Sequence, residues 1–358
     1  MIDHKSITLG FVIPGSIEAP TGGTRYDRDV ITRLPLFGIN PLILKLSSQY
    51  PFPYQDDRIT TARILETAEC ACFLIDGLAF GAFDETELKA IKKPLLVLLH
   101  HPLADETGLS PETIEILKER EKTNLAFAQA VIVTSQATAN RVMSHYDVQL
   151  SRLHIAEPGV HYVLKGFTKS EHDPKRSIKL LAVGSIIPRK NYHLIIDALS
   201  QIDAPAKWSL HIVGQKSDPS YQEALEALAS HHNLKDQIIW EGAVSENRLQ
   251  YLYQTSDFML YPSLYEGYGM ALTEALAYGL PVLTSETVPA TLPFSGPAVI
   301  KLDPSRPKLW TDAINQWMND TAAFTNARKA AKQAALSLPT WEQTTDCIAR
   351  VVKTIANS

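Results

Sequence analysis

The sequence predicts an α/β protein made of two doubly wound, Rossmann-like domains in succession. Short apolar runs alternate with longer helix-periodic segments through most of the chain, the pattern of buried parallel strands joined by crossover helices. The alternation halts at a polar stretch, residues 165–176 (KGFTKSEHDPKR), and then starts again; this stretch reads as an interdomain linker. A length of 358 residues suits two domains at roughly 150 residues each.

In the first half, residues 7–13, 40–46, 71–75, 95–99, 130–134 and 153–156 read as strands, with helical stretches between them. The clearest helix runs from residue 111 to about 129, opened by Ser110 as N-cap and Pro111 at the first helical position. Another helix is expected to begin near Tyr26. In the second half, strands are expected at 178–183, 209–213, 238–240, 258–261 and 281–284. Helices at 191–201, 221–231, 246–254 and 270–278 separate them, and a last helix-periodic segment runs from residue 341 to about 356. The expected division is residues 1–164, a linker 165–176, residues 177–335, and residues 336–358 as a helix crossing back to the first domain. In open α/β sheets, ligands bind beyond the carboxyl ends of the strands, so the cleft between two such domains is the expected site.

Composition narrows the function classes. Lys plus Arg (34) nearly balance Asp plus Glu (39), for a net charge of −5, which argues against a nucleic-acid binder with a broad basic surface. Hydrophobic residues make up 45% of the chain, enough for packed cores. No apolar run approaches the ~18 residues of a membrane span, and MIDHKSITLGFVIPG lacks the basic-then-apolar form of a secretory signal. Cys70, Cys72 and Cys347 cannot make a disulfide framework and read as reduced packing residues, with the first two on one side of a single strand. A cytoplasmic protein is expected.

The most informative stretch is residues 261–283, YPSLYEGYGMALTEALAYGLPVL. A strand ends at Tyr261, and Gly267 and Gly269 flank Tyr268 just before a helix that begins at Met270. Glycines let the backbone approach a ligand closely, and a helix start offers unpaired N–H groups and a positive dipole end. Glu266 and Glu274, eight positions apart, could accept hydrogen bonds from vicinal sugar hydroxyls; alternatively, one satisfies the dipole and the other is solvated. In residues 181–198, LAVGSIIPRKNYHLIIDA, Arg189 and Lys190 precede a helix start. Two cations there oppose the macrodipole unless an anion lies between, and a pyrophosphate would serve. Gly22 and Gly23 follow the first strand. His100 and His101 end the strand at 95–99, where an imidazole can meet a substrate hydroxyl.

The framed pair Glu266 and Glu274 resembles the E-x7-E signature of retaining glycosyltransferases of family 4, which have the GT-B fold of two Rossmann-like domains. The resemblance implies that Glu266 contacts the donor sugar and Glu274 the ribose hydroxyls. It likewise implies that the backbone of Gly267, Tyr268, Gly269 and Met270 cradles sugar and phosphate oxygens. Tyr268 stands where the family often has Phe, and Met270-Ala271 where Leu-Pro is common. The segment around Arg189 and Lys190 is similar to the family's donor-phosphate loop, with Ser185 in place of its first basic residue and Asn191 in place of its usual Gly. Gly22 and Gly23 resemble the glycine pair that closes over the donor phosphate and the acceptor. A family His at the end of the 95–99 strand contacts the donor sugar, and gapless placement favours His100, while a register change would make it His101. Gly214, Ala243 and Val244 fall where the family brings backbone near the nucleobase, and Gly159-Val160-His161 resembles the turn before its linker.

The resemblance implies a metal-independent hexosyltransferase with a nucleotide-diphosphate sugar as donor substrate, no cofactor, and a glycan, polysaccharide or glycolipid hydroxyl as acceptor. A GT-B nucleotide-sugar epimerase and a non-catalytic nucleotide-sugar binder are the alternatives. Zinc spacing is absent, and Asp56-Asp57 lies in what reads as a polar loop without the strand context of a metal site. Asp76-Gly77 could line the acceptor side, although a turn after a strand explains it equally. No nucleic-acid partner is expected. Arg25, Arg28 and Arg33 could touch anionic lipid at the inner membrane if the acceptor is membrane-bound, but a solvated helix face explains them better.

Overall fold

The computed structural model describes residues 6–19, 21–106, 108–161, 177–203 and 207–358. Two compact units emerge: Met1–Gly159 with Pro339–Ser358, and Val160–Leu338. The expected linker, residues 165–176, lies outside the described residues.

The first unit runs β1 (Ile7–Pro14), α1 (Gly22–Arg33), β2 (Ile39–Leu46), α2 (Gln55–Thr67), β3 (Cys72–Asp76), α3 (Gly77–Phe80), α4 (Glu85–Ala90), β4 (Leu95–Leu99), α5 (Pro111–Leu125), β5 (Ala130–Val133), α6 (Gln136–His145) and β6 (Leu153–Ile155). Its six strands are all parallel, in the order β2-β1-β3-β4-β5-β6. The central strands β3, β4 and β5 are buried along their whole length, which is why they read as unbroken apolar runs rather than alternating ones. At the edge, β2 exposes Asn40, Leu42, Ile43 and Lys45 and accommodates Pro41, as only an edge strand can.

The second unit runs β7 (Ile178–Val183), α7 (Tyr192–Leu199), β8 (Trp208–Val213), α8 (Pro219–His231), β9 (Ile238–Gly242), α9 (Glu246–Thr255), β10 (Phe258–Tyr261), α10 (Met270–Ala277), β11 (Val282–Ser285), β12 (Val299–Leu302), α11 (Pro307–Asn319) and α12 (Thr321–Ala335). Its sheet order is β12-β11-β10-β7-β8-β9, again all parallel. Both sheets reverse direction at an internal point, between β1 and β3 and between β7 and β10. That is where a doubly wound sheet opens a crevice. On one face of the second sheet, Phe258 meets Trp317 edge to face at 5.2 Å, in a core that also holds Trp310 and Phe324. The last helix, α13 (Trp341–Ala356), belongs to the first unit. A Thr340–Gln343 capping box opens it, and among the described residues no helix is long and apolar enough to cross a membrane.

Several expectations require correction. α1 begins at Gly22, not near Tyr26, because the Thr21 hydroxyl caps it by accepting from the Thr24 N–H at 3.2 Å. Gly22 and Gly23 therefore form its first turn. Asp56 and Asp57 lie in the first turn of α2, not in a loop, and Asp57 accepts from the Tyr54 N–H at 2.9 Å. Cys70 precedes β3 instead of sharing a strand with Cys72; all three cysteines are free thiols. β12, α11 and α12 fill residues between 285 and 340 for which no element was expected. β12 is only four residues long, and α12 presents mostly alanine to the core (Ala327, Ala331 and Ala335), so neither has strong apolar periodicity.

Gly159 shows how closely α13 packs within the first unit. A Cβ at this position would lie 2.2 Å from the Trp341 nitrogen, a backbone atom that cannot swing aside. Gly159→Ala is expected to lower stability to urea by at least about 2 kcal/mol, as overpacking does. An unchanged midpoint would mean that α13 does not pack there.

Candidate functional site

In the second unit, the residues singled out in the sequence gather beyond the carboxyl ends of β7, β8, β9 and β10, at and beside the reversal. After β7 the chain passes Gly184 (φ +152°), and after β8 it passes Gly214. A Cβ on Gly214 would lie 1.9 Å from the Gly184 carbonyl oxygen, so the two strand ends touch and only glycine fits. Residues 188–190 then form a 3₁₀ turn, and Asn191, in the left-handed conformation (φ +56°), starts α7. Its side-chain amide donates to the Pro304 carbonyl at 3.1 Å.

This turn sends Lys190 back over Gly184, where a Cβ would meet the lysine Cε at 2.8 Å. Lys190 Nζ lies 2.5 Å from Glu266 Oε1 and 3.4 Å from the Tyr261 hydroxyl. Arg189 Nη1 donates to the Tyr265 carbonyl at 2.8 Å and to Glu266 Oε2 at 3.3 Å. Thus two cations following β7 share one carboxylate following β10. The three side chains are only 10–14% exposed. At that burial an unpaired charge would be costly, so the mutual pairing is required. Burial pushes the Glu266 carboxyl upward, but the charges of Lys190 and then Arg189 outweigh it, and the pKa falls to about 2. Burial, helped by the Glu266 charge, raises the Tyr261 hydroxyl.

Gly269 (φ +111°) caps α10, and a Cβ there would strike Val288 Cγ1 at 2.6 Å. Tyr268 is buried, and its carbonyl accepts from the Ala290 N–H at 2.9 Å. Met270 packs against the same core cluster as Val244. Inside α10, Glu274 Oε2 accepts from the Tyr253 hydroxyl at 3.0 Å, and the Tyr253 ring stacks on Tyr278 with centroids 5.3 Å apart. The Gly214 N–H donates to the Gly242 carbonyl at 3.0 Å, which brings Gly214, Ala243 and Val244 to the same end of the sheet. Tyr253 had no signal in the sequence beyond helical periodicity.

The first unit carries His100 at the end of β4. Its Nε2 lies 3.1 Å from Asp27 Oδ1 and 3.4 Å from Asp76 Oδ2, with the Tyr26 ring edge-on at 5.2 Å. Gly23 backs the imidazole: a Cβ there would be 3.2 Å from His100 Cδ2. Burial disfavours the imidazolium, but Asp27 and then Asp76 overcome this and raise the His100 pKa. Burial likewise raises the Asp27 carboxyl, partly offset by His100. His101 instead faces Glu106 at 3.4 Å and is about a third exposed. Asp27, Asp76 and His100 have ligating atoms within 4.8 Å of one another, near enough to share a cation, and they pair among themselves. Gly22, Gly23, His100 and His101 belong to one unit, and Arg189, Lys190, Glu266 and Glu274 to the other.

Residues 165–336 match the family model described as Glycosyl transferases group 1. The chain is 27% identical over 190 residues to the O-antigen chain mannosyltransferase RfbU of Salmonella typhimurium, covering 51% of this chain and 49% of that one. It is 25% identical over 233 residues to the D-inositol 3-phosphate glycosyltransferase of Xylanimonas cellulosilytica, covering 61% and 54%. The chain thus spans about half the length of these curated relatives. In fold it is similar to the sucrose-phosphate synthase of Thermosynechococcus elongatus (TM-score 0.80, 18% identity, 98% of this chain and 100% of that one). It is also similar to Anabaena HepE, solved with UDP and glucose (TM-score 0.77, 16% identity, 97% and 100%). Residues 165–336 are thus similar to group 1 glycosyl transferases, and the fold is that of the sucrose-phosphate synthase and HepE structures.

The depressed Glu266 pKa makes a stability prediction. A carboxyl ionised more readily in the folded chain stabilises it fully above its ordinary value of 4.5, and that contribution is lost as pH falls toward about 2. Glu266→Gln is therefore expected to lower stability at pH 7 by about 3 kcal/mol. In urea titrations the gap from the unsubstituted protein should close between pH 4.5 and 2; a gap independent of pH would contradict the pairing.

Proposed function

We propose that this protein, which is similar over residues 165–336 to group 1 glycosyl transferases, moves a hexosyl group from a nucleoside diphosphate sugar to an acceptor hydroxyl. The reaction retains configuration at the anomeric carbon and uses no metal. The observation that carries the reading is the Arg189–Glu266–Lys190 cluster at the sheet's reversal point, the natural place for a phosphorylated ligand in such a sheet.

In this reading Arg189 and Lys190 grip the diphosphate, the guanidinium as a fork and the ammonium as a point charge. Until the donor arrives, Glu266 holds both cations; the phosphates take its place, and the freed carboxylate accepts from a sugar hydroxyl. Glu274, oriented by Tyr253, accepts from the ribose diol. Backbone at Gly267, Tyr268, Gly269 and Met270 meets sugar and phosphate oxygens, and backbone at Gly214, Ala243 and Val244 flanks the base. Among the first unit's residues, Gly22 and Gly23 are proposed as phosphate contacts and His100 as a sugar contact.

The chemistry breaks the bond between the anomeric carbon and the diphosphate oxygen and forms one to the acceptor oxygen on the same face. The acceptor's proton passes to a phosphate oxygen of the leaving group. Arg189 and Lys190 stabilise the charge that develops on that group, as preorganised electrostatics. RfbU is named a mannosyltransferase, and HepE was solved with UDP and glucose; both names support a hexosyl donor. The acceptor is a carbohydrate or a lipid-linked sugar.

Calorimetry with UDP, GDP and ADP tests the assignment. Lys190→Gln is expected to weaken the best nucleoside diphosphate about 10- to 100-fold, the worth of a charge-assisted contact. Glu274→Gln should weaken it while abolishing any preference for ribose over 2′-deoxyribose. Unchanged affinity in both variants would remove the diphosphate and ribose roles, and an inverted product anomer in NMR would remove retention.

A further inference from the structure

The His100 cluster has a feature that a simple sugar contact does not need: two buried carboxylates face the same ring nitrogen. Asp27 is 1% exposed and Asp76 7%, and both lie within ion-pair distance of Nε2. A nitrogen held between two ionised carboxylates must carry a hydrogen. With Asp27 and Asp76 both ionised, a neutral ring would leave two buried anions facing each other and the cluster at −2, whereas an imidazolium brings it to −1.

The charge state decides what the other ring nitrogen does. In the neutral ring with Nε2–H, Nδ1 is an acceptor and would serve as a base, whereas in the imidazolium it is a donor. The ring is held in place: Tyr26 packs edge-on at 5.2 Å, and the Gly23 backbone lies against Cδ2. The His100 side chain nevertheless keeps 18% exposure, so part of the ring remains open to a ligand. The titratable groups facing this cluster are Tyr26 and Asp27 from α1, Asp76 from the end of β3, and Cys347 from α13 beside Tyr26. The next residue, His101, is engaged with Glu106.

We propose that Asp27 and Asp76 are positioning residues that hold His100 as a fixed imidazolium, so that Nδ1–H donates to an electron-rich oxygen of the ligand and His100 is not the base that takes the acceptor's proton. The occupant is a sugar hydroxyl or a phosphoryl oxygen. The inference rests on the reading above, in which His100 meets the bound donor. It adds the charge state, the direction of the hydrogen bond and the two residues that enforce both.

Two measurements on the full chain separate this inference from its premise. In ¹⁵N-histidine NMR, His100 is expected to remain an imidazolium from pH 6 to 8, and a ring neutral at pH 7 would overturn the proposal without any activity assay. In pH profiles of kcat/KM, the unsubstituted protein should show no ionisation of His100 in that interval. Asp27→Asn should introduce one, with kcat/KM falling about tenfold from pH 6 to 8 as the ring loses its proton. Asp76→Asn should act in the same direction, which covers the case in which Asp27→Asn does not fold. Variant profiles parallel to the unsubstituted one would make both aspartates merely structural and overturn the proposal. Wild-type rates in His100→Ala, with the NMR result intact, would overturn the premise that His100 meets the donor.

Discussion

A single carboxylate shared by two cations, all three nearly withdrawn from water, sets the terms for the rest of the second unit. Glu266 can be buried because Lys190 and Arg189 reach it, and they reach it only because the chain after β7 makes a tight turn. Gly184 leaves room for the lysine stem, Asn191 takes the left-handed conformation, and Arg189 also clasps the Tyr265 carbonyl. Removing Glu266 leaves two cations in a medium that penalises an unpaired charge by several kcal/mol. The arrangement therefore stabilises the loops and, in the proposed function, keeps the cations positioned for the diphosphate. In the proposed function, the diphosphate that displaces Glu266 meets donors already in place, and a sugar hydroxyl takes up the freed carboxylate.

The first unit solves a related problem with the opposite sign. There one imidazole is shared by two carboxylates, again beside the point where the sheet reverses. In both units the groups come from segments at or after the carboxyl ends of neighbouring strands, β7 and β10 in one, and β1, β3 and β4 in the other. The doubly wound order brings these loops together whatever their sequence separation. Burial also separates the behaviour of like groups. Glu266 is held ionised by cations, while the Asp27 carboxyl, with only a histidine and another aspartate for company, is pushed upward. Chemistry of this kind depends on neighbours more than on residue type.

Most of the architecture was legible because buried parallel strands leave an unmistakable apolar trace. Residues 95–99, 178–183 and 258–261 are strands with the expected bounds, and Ser110 with Pro111 opens α5. Glu266 with Glu274, and Arg189 with Lys190, stand out because each pair lies in a short segment that holds glycine and a helix start. Partners brought in by the fold were not legible. Asp27 lies 73 positions from His100, and Tyr253 lies 21 from Glu274, separations at which sequence carries no local constraint. Glycine disfavours helix interiors, so Gly22 and Gly23 do not signal a helix in sequence, whereas the Thr21 cap makes them tolerable in the first turn. β12 and α12 were missed for want of periodicity: one is very short and the other buries mostly alanine.

The most direct test is a crystal structure of the full chain with a non-hydrolysable nucleoside diphosphate sugar. The expected result has diphosphate oxygens within hydrogen-bond distance of Arg189 and Lys190, Glu266 turned from them toward the sugar, and Glu274 on the ribose. A diphosphate bound elsewhere, with the Lys190–Glu266 pair still closed, would contradict it.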